Sequence, residues 1–282
     1  MKFHKPESEL YVWSELGPQA ALEQTTHLAI AAHQDDVEIM AYHGIIECFG
    51  KSDKHFSAVV AANGAGSPRT GIYKDYTDAE MVEIRKHEQR KAAFVGEYSA
   101  LAQLMYTSAE IKENDPAVTK DIFKILQAAK PEIVYTHNIA DKHETHVAVA
   151  LRAITAIRRL PKELRPHKLY GCEVWRALDW MEDGDKVLLN VSGRQNLNYA
   201  LINVFDSQSS GGKNYGAAAT GRRLANATFS SFKDTDTHTH TIYAMDLTPL
   251  ILDDSMDIQQ FALSHINKFI KSVEDKICKL SQ

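Results

Sequence analysis

Short apolar runs alternate with longer amphipathic stretches along the first 160 residues of the chain. His27 to Ala32 (HLAIAA), Phe56 to Ala62 (FSAVVAA), Ala100 to Met105 and Glu132 to Thr136 (EIVYT) each have the length of a buried strand. Between them, Val37 to Phe49 reads as a helix stopped by Gly50. Thr77-Asp78-Ala79-Glu80 is a capping box that opens a second helix. Asp115-Pro116 starts a third, running to Lys130, and Val147 to Leu160 is amphipathic again. Gly64 to Tyr76, rich in Gly, Ser, Pro and Thr, reads as a long loop.

Strands separated by helices in this way predict an α/β fold, a Rossmann-like, mostly parallel sheet with helices on both faces. Ligands of such sheets bind at the carboxyl ends of the strands, near a topological switch point. From about Lys168 the pattern weakens. Strands are expected at Leu169 to Val174 and Val187 to Val191, and helices at Gly193 to Phe205 and Met256 to Leu280. With no repeat and no low-complexity linker, residues 1–282 read as one domain, with a divergent tail from about 233.

Composition narrows the function classes. A hydrophobic content of 44% and a net charge of −5 suit a globular chain and argue against a nucleic-acid binder, which needs a basic face. No run approaches the roughly 18 apolar residues that span a bilayer. Met1 to Trp13 has no secretory apolar core, so a cytoplasmic protein without a membrane partner is expected. Cys48, Cys172 and Cys278 lie far apart, which excludes a thiolate zinc site and leaves any metal to the 13 histidines and the carboxylates.

Two segments carry the candidate chemistry. The first, His33-Gln34-Asp35-Asp36-Val37-Glu38, comes directly off a strand, so a tight turn can aim His33 and Asp36 at one point with Asp35 beside them. Imidazole plus carboxylate is a normal partial zinc set; the same aspartates would also serve to cap the following helix. The second runs from Thr136 through His137, Asp141 and His143 to His146, and it too lies between a strand and a helix. His143 and His146, three apart, share a face if the helix begins there. Both segments fall on the predicted ligand-binding edge of one sheet.

These residues resemble the LmbE-like or PIG-L deacetylases, which hydrolyse the acetamide of N-acetylglucosamine-type sugars. The resemblance rests on A-H-x-D-D-x-E at 32–38 and on the late H-x-x-H at 143–146. It also covers Arg85, Glu88 and Ala92 (R-x-x-E-x-x-x-A), Arg69 in the loop, and the later landmarks Val174-Trp175 and Ser207-Gln208. It extends from about residue 26 to 230. Departures are Gln34 for the usual Pro, Glu144-Thr145 within the usual H-P-D-H, and Asp206 where many members carry His. The third leaves the substrate contact near Asp206 open.

The resemblance implies one Zn²⁺ per chain on His33, Asp36 and His146, with another divalent metal left open as the alternative. It implies Asp35 as general base, His143 as oxyanion stabiliser and Asp141 as the group that orients His143. Arg69 is the candidate for gripping the substrate, and Glu38, Arg85 and Glu88 would brace the site from behind. Arg85 and Glu88 have an independent reading, since Met81, Arg85, Glu88, Ala92 and Val95 form one helical stripe. Charges among apolar neighbours must pair, with each other or with the loops at the site. The implied partner is a small N-acetylated sugar or conjugate, and a homo-oligomer remains compatible.

Other features carry less. Asp234, Asp236, His238 and His240 in DTDTHTHT read as a polar edge strand or loop rather than a second metal site. A metallophosphoesterase, which often holds two metals, and a non-catalytic ligand-binding protein are the alternatives. Asp35 and His143 count against the latter, because binding alone requires neither.

Overall fold

The computed structural model describes residues 1–229 and 235–282. The elements are, in chain order, β1 (Glu9–Tyr11), α1 (Pro18–Glu23), β2 (His27–Ala31), α2 (Asp36–Met40), α3 (Tyr42–Cys48), β3 (Phe56–Ala62), α4 (Asp78–Val95), β4 (Ala100–Tyr106), α5 (Ser108–Lys112) and α6 (Pro116–Ala129). They continue with β5 (Ile133–His137), α7 (Glu144–Arg158), β6 (Lys168–Cys172), β7 (Lys186–Asn190), α8 (Gln195–Asn203), α9 (Asp206–Ser209), α10 (Tyr215–Ala227), β8 (Thr241–Asp246), α11 (Thr248–Leu252) and α12 (Ile258–Leu280). All eight strands join one sheet in the order β1-β4-β3-β2-β5-β6-β8-β7. The run from β4 to β6 is parallel, while β1, β8 and β7 are added antiparallel at its two edges.

Alternate residues of each strand feed opposite faces, as the pleat requires. Leu28 and Ile30 of β2 pack with α1, α6 and α7 on one side. Ala29 and Ala31 pack with α2, α3 and α8 on the other, so helices cover both faces. The chain steps outward from β2 to β3 and β4, then returns across β2 to lay down β5 on its far side. The crevice between the carboxyl ends of β2 and β5 is therefore the topological switch point, where ligands of open α/β sheets bind.

Local signals account for most boundaries. The Thr77 hydroxyl accepts from Glu80 N at 3.3 Å while the Glu80 carboxylate accepts from Thr77 N at 2.8 Å, completing the capping box of α4. Asp115 caps α6 through Ala117 N at 2.8 Å. The helix expected over Val37 to Phe49 is instead two, broken at Ala41. Arg223 from α10 donates to the carbonyls of Glu38 and Ile39, both at 2.9 Å, which diverts those acceptors from the helix ladder. Strands β1 and β8 and helix α10 are additions that the sequence pattern does not predict. No helix among the described residues is long and apolar enough to cross a membrane. Of the DTDTHTHT run, Asp234 lies outside the described residues, and Asp236 accepts from Phe229 N at 3.0 Å.

Candidate metal centre and active site

The turn after β2 sets the site. His33 N donates to Asp36 Oδ2 at 2.7 Å, which curls the chain into α2 and brings the His33 ring to 3.2 Å from the same oxygen. Between them Asp35 sits at φ 80°, a left-handed conformation that aspartate tolerates better than most residues. Its amide donates to Gln89 Oε1 at 3.2 Å.

The second segment arrives from β5. His143 caps α7, its Nδ1 accepting from Thr145 N at 3.3 Å, so the helix starts earlier than the sequence pattern suggests. A neutral His143 therefore carries its ring hydrogen on Nε2. His146, in the first turn of α7, places Nε2 3.4 Å from Asp36 Oδ2. One ligand atom each from His33, Asp36 and His146 lie within 4.8 Å of one another, at the floor of a cavity of about 570 Å³. Two imidazoles and a buried carboxylate are a donor set that zinc accepts. Among the described residues the other such cluster, His137, Asp141 and His146, shares His146 with the first, and the DTDTHTHT run forms none.

The electrostatics divide the two adjacent aspartates. Burial alone would raise the Asp36 carboxyl, but His146, the His33 hydrogen bond and His137 outweigh it and hold the group well below the usual carboxylate range. Burial raises Asp35 to about 6, against the opposing pull of Arg85 and with repulsion from Asp36 adding to the rise. One carboxylate is locked ionised; its neighbour is poised near neutrality. Burial disfavours a charged His146, yet Asp36 and Asp141 more than compensate and raise it. Burial, followed by the nearby His146 and His33, lowers His143.

Arg85 and Glu88 are buried and paired, as the helix stripe requires. Arg85 donates to Asp35 Oδ2 at 2.6 Å and to the Gln34 carbonyl at 2.5 Å, and it reaches Glu88 at 3.2 Å. Glu88 in turn accepts from both Ser207 N and Ser207 Oγ at 2.7 Å. The pair thus ties α4 to the β2 turn and to α9, satisfying both alternatives that the stripe left open. Glu38 is fully buried and accepts from Gln89 Nε2 at 2.8 Å and Tyr98 OH at 2.7 Å; burial raises it to about 7 in spite of those bonds. Gly64 lies so close behind this turn that a Cβ there would come within 2.6 Å of Gln34 Oε1 and 3.0 Å of Arg85.

Two placements differ from expectation. Asp141 faces the His146 ring at 3.3 Å, out of hydrogen-bond line, and accepts from the His143 backbone at 2.9 Å; it does not engage the His143 ring. The reason is the early start of α7, which turns the His143 Nδ1 onto its own helix. Arg69 donates through Nη2 to the Ala65 carbonyl at 2.6 Å and to Asp78 at the start of α4 at 2.5 Å, and it is not among the residues that line the cavity. The basic groups that do line the cavity are Lys112 and Lys213, beside Arg85 below. Trp175 and Tyr215, with ring centroids 4.6 Å apart, form an aromatic wall.

His137 belongs to the site although sequence reasoning assigns it no role. It ends β5, is fully buried, stacks on His146 at 4.0 Å and accepts from Ala32 N at 2.8 Å through Nε2. Its position as the last strand residue, pointing at the same rim, is the signal that could have found it.

Residues 28–157 match the family model described as PIG-L, GlcNAc-PI de-N-acetylase. That segment holds the turn after β2, the Arg85 helix and the His143–His146 pair. That segment is of the PIG-L type. No curated protein matches it in sequence. In structure it is similar to the 4-carboxy-2-hydroxymuconate hydratase of Pseudomonas putida (TM-score 0.63, 16% identity, covering 79% of this chain and 96% of that one). It is also similar to the N,N'-diacetylchitobiose deacetylase of Pyrococcus horikoshii (TM-score 0.61, 17% identity, covering 84% and 88%). A conserved protein of Thermus thermophilus gives a TM-score of 0.60 at 15% identity, covering 83% and 99%. At these identities the likeness establishes the fold alone. A hydratase among the matches means that activity must be argued from the site itself.

Proposed function

We propose that this chain is a zinc-dependent amidohydrolase that removes the N-acetyl group from an N-acetylglucosamine-type sugar or conjugate. The observation that carries the reading is the pair Asp35 and Asp36: one buried beside two histidines and kept ionised, the other on the cavity floor with a carboxyl at about 6. Binding alone has no use for the second. His33, Asp36 and His146 would hold the metal, which when bound acidifies a water and polarises a carbonyl. Asp35 accepts the proton of the attacking water, with Arg85 fixing the carboxylate. His143 presents its Nε2–H to the oxygen that gains charge as the acetamide carbon becomes tetrahedral. Asp35 or His143 returns a proton to the leaving amine. Asp141 supports His146 from behind. The sugar ring packs against Trp175 and Tyr215.

The family description and the diacetylchitobiose deacetylase support an amide substrate. A two-metal phosphoesterase is disfavoured because the two candidate clusters of the described residues compete for His146. The three unpaired cysteines suit a reducing cytoplasm.

The test is amine release from N-acetylated sugars before chelation, after chelation and after zinc restoration, repeated across pH. We expect about one zinc per chain, release that vanishes and returns with the metal, and an acidic limb. Because Asp35 must be ionised to act, kcat/KM should fall as pH drops through about 6. Release that persists in fully metal-free protein contradicts the reading.

A further inference from the structure

The last helix carries a pattern that nothing in the site explains. Leu263, Ile270 and Ile277 recur every seven residues on α12, and Ile266, Val273 and Leu280 recur in step with them. These are the a and d positions of three successive heptads, all apolar. A spacing of 3.5 residues matches a second helix wound around the first, whereas a helix lying on a globular core shows a broader stripe of period 3.6.

The stripe is not the face that holds α12 to the body. Phe261 and Ala262 pack on the core, and His265 and Lys268 reach Asp185 at 3.3 Å and 2.8 Å. At about 100° per residue, the centre of the heptad stripe lies roughly 100° around the helix from that docking face. No residue of α12 is buried; Ile266 is half-buried, and the rest of the stripe is exposed, from 37% at Leu263 and Val273 to 62% at Ile277 and 83% at Leu280.

We propose that this stripe is an interface with a second copy of the same chain, paired helix to helix through α12. The pattern is complementary to itself, so a second copy supplies the matching knobs and holes without any other partner. Charge agrees. In a parallel pair the flanking contacts beyond the docked first turn join Phe269 to Glu274 and Lys276 to Ser281 of the second copy, so no like charges meet. Lys271, Asp275 and Lys279 stay off the seam, and Lys268 faces the body at Asp185. A lipid surface fits less well, because the apolar stripe is narrow and Glu274 and Asp275 oppose an anionic headgroup layer.

The test is the solution mass of the full chain by sedimentation at micromolar concentration. The wild type should exceed the 31.6 kDa of one chain at least twofold. Ile270→Lys with Ile277→Lys should return it to one chain while circular dichroism is retained, and Lys271→Glu, on the outer face, should leave the assembly intact. Should the double variant misfold, Val273→Cys in a Cys278→Ser background decides, since facing d positions oxidise to a disulfide-linked dimer. A wild-type mass of one chain, an unchanged mass in the folded double variant, or a monomer that binds phosphatidylserine vesicles through this helix would each overturn the proposal.

Discussion

The floor and the walls of the cavity are built in opposite ways. The floor comes from two short stretches, 33–36 and 143–146, each between a strand and the helix that follows it. Asp36 and His146 are almost wholly buried, and the three ring nitrogens of His33, His137 and His146 converge on one Asp36 oxygen at 3.2 to 3.5 Å. The walls are drawn from the loop at 63–68, from α5, from Trp175 after β6 and from the segment that opens α10, with two exposed lysines. On the function proposed above, the chemistry would rest on contiguous residues held by the main chain, and specificity on elements distant in sequence that meet only in the finished fold.

That contrast can be broken at either side. The largest effect is expected beneath the floor, at Arg85→Ala. Asp35 and Glu88, each about 5% exposed or less, would lose the cationic partner they share, and breaking a buried pair of this kind costs about 3–5 kcal/mol. Urea denaturation of the metal-loaded protein reads this directly. A loss below about 1 kcal/mol would mean that cavity water already solvates Asp35, and that the floor is less preorganised than its hydrogen bonds indicate.

A smaller effect is expected at the wall. Trp175→Ala should raise KM while kcat stays nearly constant, because a stacking surface grips substrate and transition state alike. An aromatic contact is worth about 0.5–1.5 kcal/mol, which corresponds to a rise of roughly two- to tenfold. If kcat fell with KM unchanged, the aromatic wall would belong to the chemistry and the division between floor and walls would fail.

The same contrast explains what can be read from the amino-acid pattern. The five parallel strands are legible because each is a short apolar run bounded by turn residues, and the capping box and Asp-Pro start locate α4 and α6. The floor is legible because its candidate ligands sit in two compact motifs at strand ends. Helix α10 is not, since its Tyr-Gly-Ala-Ala-Ala-Thr-Gly opening carries two glycines that weaken the helical signal, and Asn214 supplies the cap only once the loop is folded. Strand β8 escapes notice because it inserts between β6 and β7, an order that no local pattern encodes. Arg69 reads as a substrate ligand because its loop position resembles the family's. Its capture by Asp78, nine residues away, depends on the course of the loop, which spacing does not specify.

The central claim is that metal holding and proton transfer belong to different, adjacent aspartates. Asp35→Asn, assayed for bound zinc and for amine release in the same preparation, tests it most directly. The account predicts about one zinc per chain, as in the wild type, with turnover reduced by about 10²- to 10⁴-fold, the usual contribution of a general base. Near-normal turnover, or loss of the zinc together with the activity, would contradict it.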